Sequence, residues 1–198
     1  MPEARLISMT QNPMEVLKTA AGMCYQKDAT DAVIKHIIDA GHLSVLEHCY
    51  ATFKVKCSIV TLMQLTRHRH LSFTCQSSRV TELDEFYSPD HDLEDEIALA
   101  MMHYKQCIRD GYSREEAAYM LPKGAEYNLV VTGNFRAWFE YLPKRLCMRA
   151  SKEHQELAHL IADQLYLKCP EVFGEVKLNC EHCKEKGCSF ASSKTDSK

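Results

Sequence analysis

The sequence predicts one α/β domain, on three observations. Its 198 residues suffice for a single hydrophobic core and fall short of two ordinary domains. Hydrophobic residues make up 45% and charged residues 26%, with 7 Gly and 6 Pro, a soluble globular composition that excludes a disordered or collagen-like chain. One central segment alternates at period two while several others repeat apolar residues at helical spacing, so the domain carries both element types.

Arg5-Leu6-Ile7-Ser8-Met9 reads as an edge strand. Pro13, well suited to a first helical turn, then opens a helix whose Met14, Val16, Leu17, Ala20 and Ala21 repeat until about Cys24. A second helix is expected from Thr30 to Ala40, stopped by Gly41. Between Cys49 and Cys57, Thr52, Lys54 and Lys56 alternate with Ala51, Phe53 and Val55, which predicts a half-buried strand. The run from Ser58 to Thr66 is helical in character and delivers the chain to Arg67-His68-Arg69-His70. Leu71 to Val80 is polar and poor in helix formers, and Glu82 to Glu96 is acidic with Pro89, so both are expected as loop; long irregular stretches in compact domains are usually functional or disordered. Further helices are expected over Leu93 to Asp110 and over Ser113 to Met120, the second with Ser113 and Glu116 as a capping box. Another is expected over Val130 to Arg145, with Phe135, Trp138, Phe139 and Leu142 on its core face and Pro143 disturbing its last turn. The last runs from Ser151 to Lys168, buries Leu157, Leu160, Ile161 and Leu165, and stops at Cys169-Pro170. Residues 1–178 thus form the domain and 179–198 a polar, cysteine-containing tail, frayed from Ser192 onward.

The formal net charge of −3 argues against nucleic-acid polymers held by bulk charge, and any anion site must be local. Met1-Pro2-Glu3-Ala4-Arg5 lacks the layout of a secretory signal and no long apolar run exists, so a cytoplasmic protein with no membrane partner is expected. In that compartment Cys24, Cys49, Cys57, Cys75, Cys107, Cys147 and Cys169 should be reduced and mostly buried. Cys169, Cys180, Cys183 and Cys188 leave three readings open: a zinc site with His182 as a substitute ligand, a redox-labile pair, or inert thiols.

The densest chemistry lies between Gln64 and Arg79. Arg67, His68, Arg69, His70 and Arg79, interleaved with hydroxyls such as Ser77, concentrate cationic donors in an acidic protein. They predict either an anion site, phosphate being the obvious guest, or a solvated basic turn paired with the acidic stretch Asp84 to Glu96. Lys144, Arg145 and Arg149 form a second basic cluster, which by itself is equally a helix C-terminus carrying its usual charge. His48, beside Glu47, reads as a satisfied structural histidine.

Arg67-His68-Arg69, seven residues, then Ser77 matches the signature of the flavin-dependent thymidylate synthases, and the chain resembles that family. His42-x-Ser44-x-x-Glu47-His48 is similar to its segment upstream of the signature. Asn134-Phe135-Arg136 is similar to its Asn-x-Arg motif, and Arg145-x-Cys147-x-Arg149-Ala150-x-x-Glu153 to the helix junction that follows. The resemblance spans roughly residues 5 to 175. It implies a central, mostly antiparallel sheet flanked by helices, in a homotetramer whose active sites are shared between subunits. The implied activity is reductive methylation of dUMP to dTMP, with FAD as cofactor and methylenetetrahydrofolate and NADPH as co-substrates. By position, Arg145 matches the arginine that activates the uracil ring. Gln64, Arg67, Ser77 and Arg79 match dUMP positions, and Ser44, Arg67, His68, Arg69, Asn134 and Arg136 match FAD positions.

Five positions depart from the family. Thr74 and Cys75 stand where Asn and Glu are usual, so a carboxylate near substrate and flavin is replaced by a thiol. Ala118 replaces an arginine, Glu140 a second flavin-site asparagine, and Val80 a tyrosine. Cys75 among arginines is either an ordinary replacement or a thiol with lowered pKa and a redox or nucleophilic role. These departures keep two alternatives open: a flavin- and folate-dependent methylase or hydroxymethylase acting on UMP or dCMP, and a non-catalytic nucleotide-binding paralogue.

Overall fold

The alternating segment at the centre of the chain is strand β2, Tyr50–Ser58, which buries Ala51, Phe53, Val55 and Cys57 and turns Tyr50, Thr52, Lys54 and Lys56 away from the core. A computed structural model describes residues 1–174, 176, 183 and 188. On one side β2 pairs with β1, Glu3–Met9, across a register shift between Leu6 and Ser8. On the other it pairs over its full length with β4, Glu126–Asn134, whose far edge pairs with β3, Leu71–Cys75. Among the described residues the sheet is antiparallel in the order β1-β2-β4-β3, so the fold is α+β as expected.

The helices close over one face of that sheet. They are α1, Pro13–Gly22; α2, Asp31–Asp39; α3, Ile59–Leu65; α4, Glu94–Arg109; α5, Arg114–Ala117; α6, Phe135–Arg145; α7, Lys152–Lys168; and α8, Pro170–Phe173. Gly41, at φ 76°, turns the chain out of α2 at an angle that costs other residues strain. Phe135, Trp138 and Leu142 of α6 and Leu157, Ile161 and Leu165 of α7 lock onto the buried face of β2 and β4. Trp138 donates its indole N–H to Ala51 O at 3.0 Å and lies against Gly133, where a Cβ would stand 2.3 Å from Leu71 and 3.1 Å from the indole nitrogen. Only glycine lets the last turn of β4, the start of β3 and α6 meet this closely. A smaller core of Leu83, Met101, Tyr104, Ala117 and Ala125 fastens α4 and α5 to the other end.

Two expected elements are corrected. Leu71 to Cys75 is strand rather than loop: Leu71 is buried and Phe73 half-buried, a five-residue alternation hidden among polar neighbours. The first part of the expected helix 130–145 is strand, because Asn128, Val130 and Thr132 alternate with buried Leu129, Val131 and Gly133; the helical repeat begins only at Phe135. The helix itself runs through Pro143 to Arg145. Leu160 faces outward, unlike the other α7 leucines named above. The capping box at Ser113 and Glu116 forms in full.

The cysteines divide. Cys49, Cys57 and Cys169 are buried, Cys107 and Cys147 are half-buried, and Cys24 and Cys75 are exposed, against the expectation of general burial. Cys180, His182 and the segment from Ser192 lie outside the described residues; Cys183 is exposed, Cys188 buried, and no group of three or more metal-ligating side chains is present among those described. No described helix is long and apolar enough to cross a membrane.

Candidate active site

Helix α6 organises the site because it carries one arginine in its first turn and another in its last. Asn134 starts it: the side-chain oxygen accepts from the Ala137 N–H at 2.8 Å. Leu71 pairs with Gly133, so the turn Arg67 to His70 abuts this start and runs alongside the helix.

At the first turn, Arg136 donates from Nη1 to Glu47 Oε1 at 2.6 Å and from Nε to Glu140 Oε1 at 2.9 Å. Glu47 comes from the 3₁₀ turn Leu43–His48, which also carries Ser44, and β2 begins opposite Asn134. Glu47, His70, Asn134, Arg136, Ala137 and Glu140 line a cleft of about 270 Å³. His70, Asn134, Arg136 and Glu140 are thus gathered at one end of the sheet, with Ser44 on the 3₁₀ turn of Glu47 and Arg67 and Arg69 exposed on the adjoining turn. No carboxylate pairs with Arg67 or Arg69 among the described residues. The acidic stretch goes elsewhere: Glu85 to Lys56 and Asp84 to Lys105.

At the last turn, Arg145 Nε donates to His68 Nε2 at 2.8 Å, Nη1 to Gln64 Oε1 at 3.4 Å and Nη2 to the Gln64 carbonyl at 3.3 Å. Gln64 sits near the end of α3, and its side-chain oxygen also lies 3.4 Å from Ser151 Oγ and 3.5 Å from His154 Nδ1. His154 Nε2 is 3.1 Å from the hydroxyl of buried Tyr141. The His68 ring packs edge-on against Tyr141 at 4.8 Å. Burial, reinforced by Arg145, lowers the pKa of His68 to about 4 and that of His154 to about 3, so both are neutral near pH 7. Burial pushes the Tyr141 phenol up. A neutral His68 is required here, since the guanidinium only donates and Nε2 must present a lone pair.

Helices α3 and α7 are held in register by one buried carboxylate. Glu153 accepts from the Ser58 N–H at 2.7 Å, the Ser58 hydroxyl at 2.5 Å and the Thr61 hydroxyl at 2.6 Å. Thus the residue next to His154 is tied to the first turn of the helix that carries Gln64.

The remaining candidate residues lie apart. Cys75 closes β3 opposite Leu129, and Arg79 pairs with Glu115 of α5 at 3.1 Å. Five residues of strand, about 15 Å, separate them from the turn that carries Arg67 and His68. Ser77 is exposed beside Arg79. Within one chain, therefore, Gln64, Arg67 and Arg145 lie at one end of β3 and Cys75, Ser77 and Arg79 at the other. Partial burial raises the Cys75 pKa, against the lowering considered from its basic neighbours. His48 is exposed rather than part of the core.

Sequence reasoning passed over His154, Tyr141 and Ser151. A signal for His154 existed: it sits at i, i+3, i+4 and i+7 with Leu157, Ala158 and Ile161, on the buried face of α7.

Residues 5–171 match the family model described as thymidylate synthase complementing protein. The chain is 32% identical over 200 residues to the flavin-dependent thymidylate synthase of Sulfurisphaera tokodaii, spanning 89% of this chain and 78% of that protein. Identity to the enzyme of the same name from Saccharolobus solfataricus is 32% over 204 residues, spanning 91% and 78%. A probable flavin-dependent thymidylate synthase of Mycobacterium phage D29 is 34% identical over 167 residues, spanning 72% and 71%. The fold is similar to that of thymidylate synthase X from Helicobacter pylori, solved with FAD and dUMP: the TM-score is 0.80 at 23% identity, covering 89% of this chain and 99% of that one.

Proposed function

The chain belongs to the thymidylate synthase complementing protein family, and from that premise we propose that it is a flavin-dependent thymidylate synthase, converting dUMP to dTMP. Methylenetetrahydrofolate supplies the carbon, and FAD, reduced by NADPH, supplies the hydride. The protein's share is to bind, orient and neutralise.

The observation that carries the assignment of roles is the setting of Arg145. Its described partners, His68 and Gln64, are neutral, so its positive charge is uncompensated within hydrogen-bonding range. Three of its N–H groups are engaged by these partners, and of the five a guanidinium offers the other two remain for a ligand. Held this way, Arg145 stabilises negative charge developing on a uracil edge without titrating itself. Gln64 and Arg67 share that end of the substrate.

The donor set at the other end of α6 suits FAD in part. Arg69 and Arg136 offer guanidinium groups for a diphosphate, with Ser44 and Asn134 beside them; Arg67 and His68 lie on the turn that joins this end to Arg145 and serve both ligands, while Glu140 introduces a carboxylate that suits hydroxyls better than phosphate. Ser77 and Arg79 hold the dUMP phosphate, and their distance from Arg145 within one chain supports a homotetramer in which two subunits build each site. The enzyme works in the cytoplasm on small molecules, residues 1–178 forming its catalytic domain.

A second reading, another pyrimidine nucleotide as substrate, is favoured by Cys75 standing where a carboxylate is usual. The test is the visible spectrum of the FAD-loaded protein during titration with dUMP, followed by mass analysis of complete reaction mixtures. A saturable flavin shift with dUMP and formation of dTMP are expected. A shift with UMP or dCMP alone selects the second reading, and bound flavin without any nucleotide response or product contradicts both.

A further inference from the structure

We propose that His154 is a positioning residue, which fixes the side-chain amide of Gln64 so that its two N–H groups face the substrate. The proposal rests on the thymidylate synthase reading for the identity of that substrate, and on the hydrogen-bond logic of the cluster for everything else.

That logic leaves one solution. A guanidinium can only donate, so the Gln64 atom 3.4 Å from Arg145 Nη1 is the amide oxygen, and the amide nitrogen points away from the cluster. The same oxygen lies 3.5 Å from His154 Nδ1 and can only accept, so Nδ1 carries the proton. A neutral imidazole then has a lone pair on Nε2, and the Tyr141 hydroxyl 3.1 Å away donates to it. The sequence Tyr141 to His154 to Gln64 therefore has one direction throughout. Its end product is an amide whose N–H groups have no acceptor among the described residues.

Three groups touch the Gln64 oxygen, and they differ in how firmly they are held. Arg145 is half-buried and is itself the group that engages the ring. The Ser151 hydroxyl rotates freely about its Cβ–Oγ bond and lies just ahead of α7. His154 is fully buried, flanked by Leu157 and Ala158 on α7, backed by Tyr141, and its neighbour Glu153 is bonded to Ser58 and Thr61. Of the three it is the most firmly held. A flipped amide would instead present its oxygen where substrate carbonyls must be met by donors, leaving acceptors facing each other.

The test uses the full chain loaded with FAD, dUMP titrated calorimetrically, and three variants. His154→Leu removes both ring nitrogens at similar bulk. His154→Asn keeps a donor near the position of Nδ1, and His154→Gln keeps one near Nε2. His154→Leu and His154→Gln should weaken dUMP about tenfold with FAD affinity unchanged, and His154→Asn should stay within about threefold of the unsubstituted protein. Equal dUMP affinity in all three, or equal losses in His154→Asn and His154→Gln, would overturn the proposal in favour of simple core filling. Histidine ¹⁵N spectra of the unsubstituted protein give a readout that needs no substrate: His154 is expected as the neutral Nδ1–H tautomer, and the Nε2–H tautomer overturns the proposal. Failure of the unsubstituted, FAD-loaded protein to bind dUMP would instead strike the thymidylate synthase reading, leaving the tautomer result to judge His154.

Discussion

Arg136 and Arg145 are carried by the same helix, nine positions apart, and the protein treats them in opposite ways. The first-turn arginine meets two carboxylates, Glu47 and Glu140, at the surface; among the described residues the last-turn arginine meets an amide, a backbone carbonyl and a neutral imidazole, part-buried. The helix dipole accounts for part of the difference. A cation at the N-terminal end opposes the dipole and gains from carboxylates, whereas one at the C-terminal end is already favoured and needs none. Burial accounts for the rest, since an acid beside Arg145 would form an ion pair that cancels the field offered to a ligand. One end of α6 is electrostatically closed and the other is poised.

The largest test of that contrast is Arg145→Ala. Turnover should fall by at least about a hundredfold, the scale for losing a preorganised donor at developing charge, while FAD remains bound because Ser44, Arg69, Asn134 and Arg136, most of its proposed ligands, lie toward the opposite end, His68 being the exception. Steady-state dTMP formation and bound-flavin absorbance measure the two halves separately. Normal turnover would break the comparison, and parallel loss of flavin would show that the two ends act as one site.

Glu140→Gln probes the closed end and should act more gently. Removing one of two carboxylates at an isosteric position frees Arg136 for an anionic ligand, so FAD should bind several-fold more tightly, with turnover changed little. Fluorescence titration of the apoprotein with FAD reads this directly. Weaker binding would mean that Glu140 itself grips the cofactor, through hydroxyl groups, and that the end is not closed but differently specific.

How far this contrast was legible follows from the residues. Spacing from Phe135 to Leu142 placed α6 on the core, and the motif Arg67-His68-Arg69 was visible as a basic turn. What one dimension concealed was the strand in front of the helix: Leu129, Val130 and Val131 fit either period, and the change from two to 3.6 is marked only by Thr132-Gly133-Asn134, where Gly133 stays within the strand and Asn134 caps the helix. Arg136 and Arg145 look alike as letters. Their partners, Glu47 at 89 positions' separation and Gln64 at 81, are set only by folding. His154 went unnoticed for a related reason: on the core face of an amphipathic helix a histidine resembles filler until its two nitrogens are seen to be bonded.

The poised end should also reveal itself through pH. His68 and His154 titrate near 4 and 3 in the folded chain against 6.5 for the free ring. Between those values the unfolded chain binds protons that the folded chain refuses, so stability is fully present above about pH 6.5 and declines as pH falls toward 4 and then 3. Melting temperatures measured from pH 7.5 to 4 should fall accordingly, and His154→Asn should flatten the curve. A wild-type melting temperature independent of pH over that range would mean that the cluster is hydrated and its histidines are ordinary.

The smallest effect is expected at Cys75, and its smallness sharpens the comparison. Buried thiols are driven up in pKa, Cys49 to about 11 and Cys169 to about 12, and are protected from reagents. Cys75 is exposed yet also raised, by partial burial; it closes β3 away from Arg67 and Arg145, and Arg79 pairs with Glu115. Among the described residues, Arg79 at that end is paired with an acid and does not supply the uncompensated cation that makes a thiolate. Cys75→Ser should therefore leave turnover within about twofold, the usual range for a surface substitution. Under native conditions a maleimide should label Cys75 and Cys24 while sparing Cys49, Cys57 and Cys169. Complete loss of turnover in Cys75→Ser would place a second poised group on this chain, a nucleophile at the end of β3, and Arg145 would no longer be the sole centre of the chemistry.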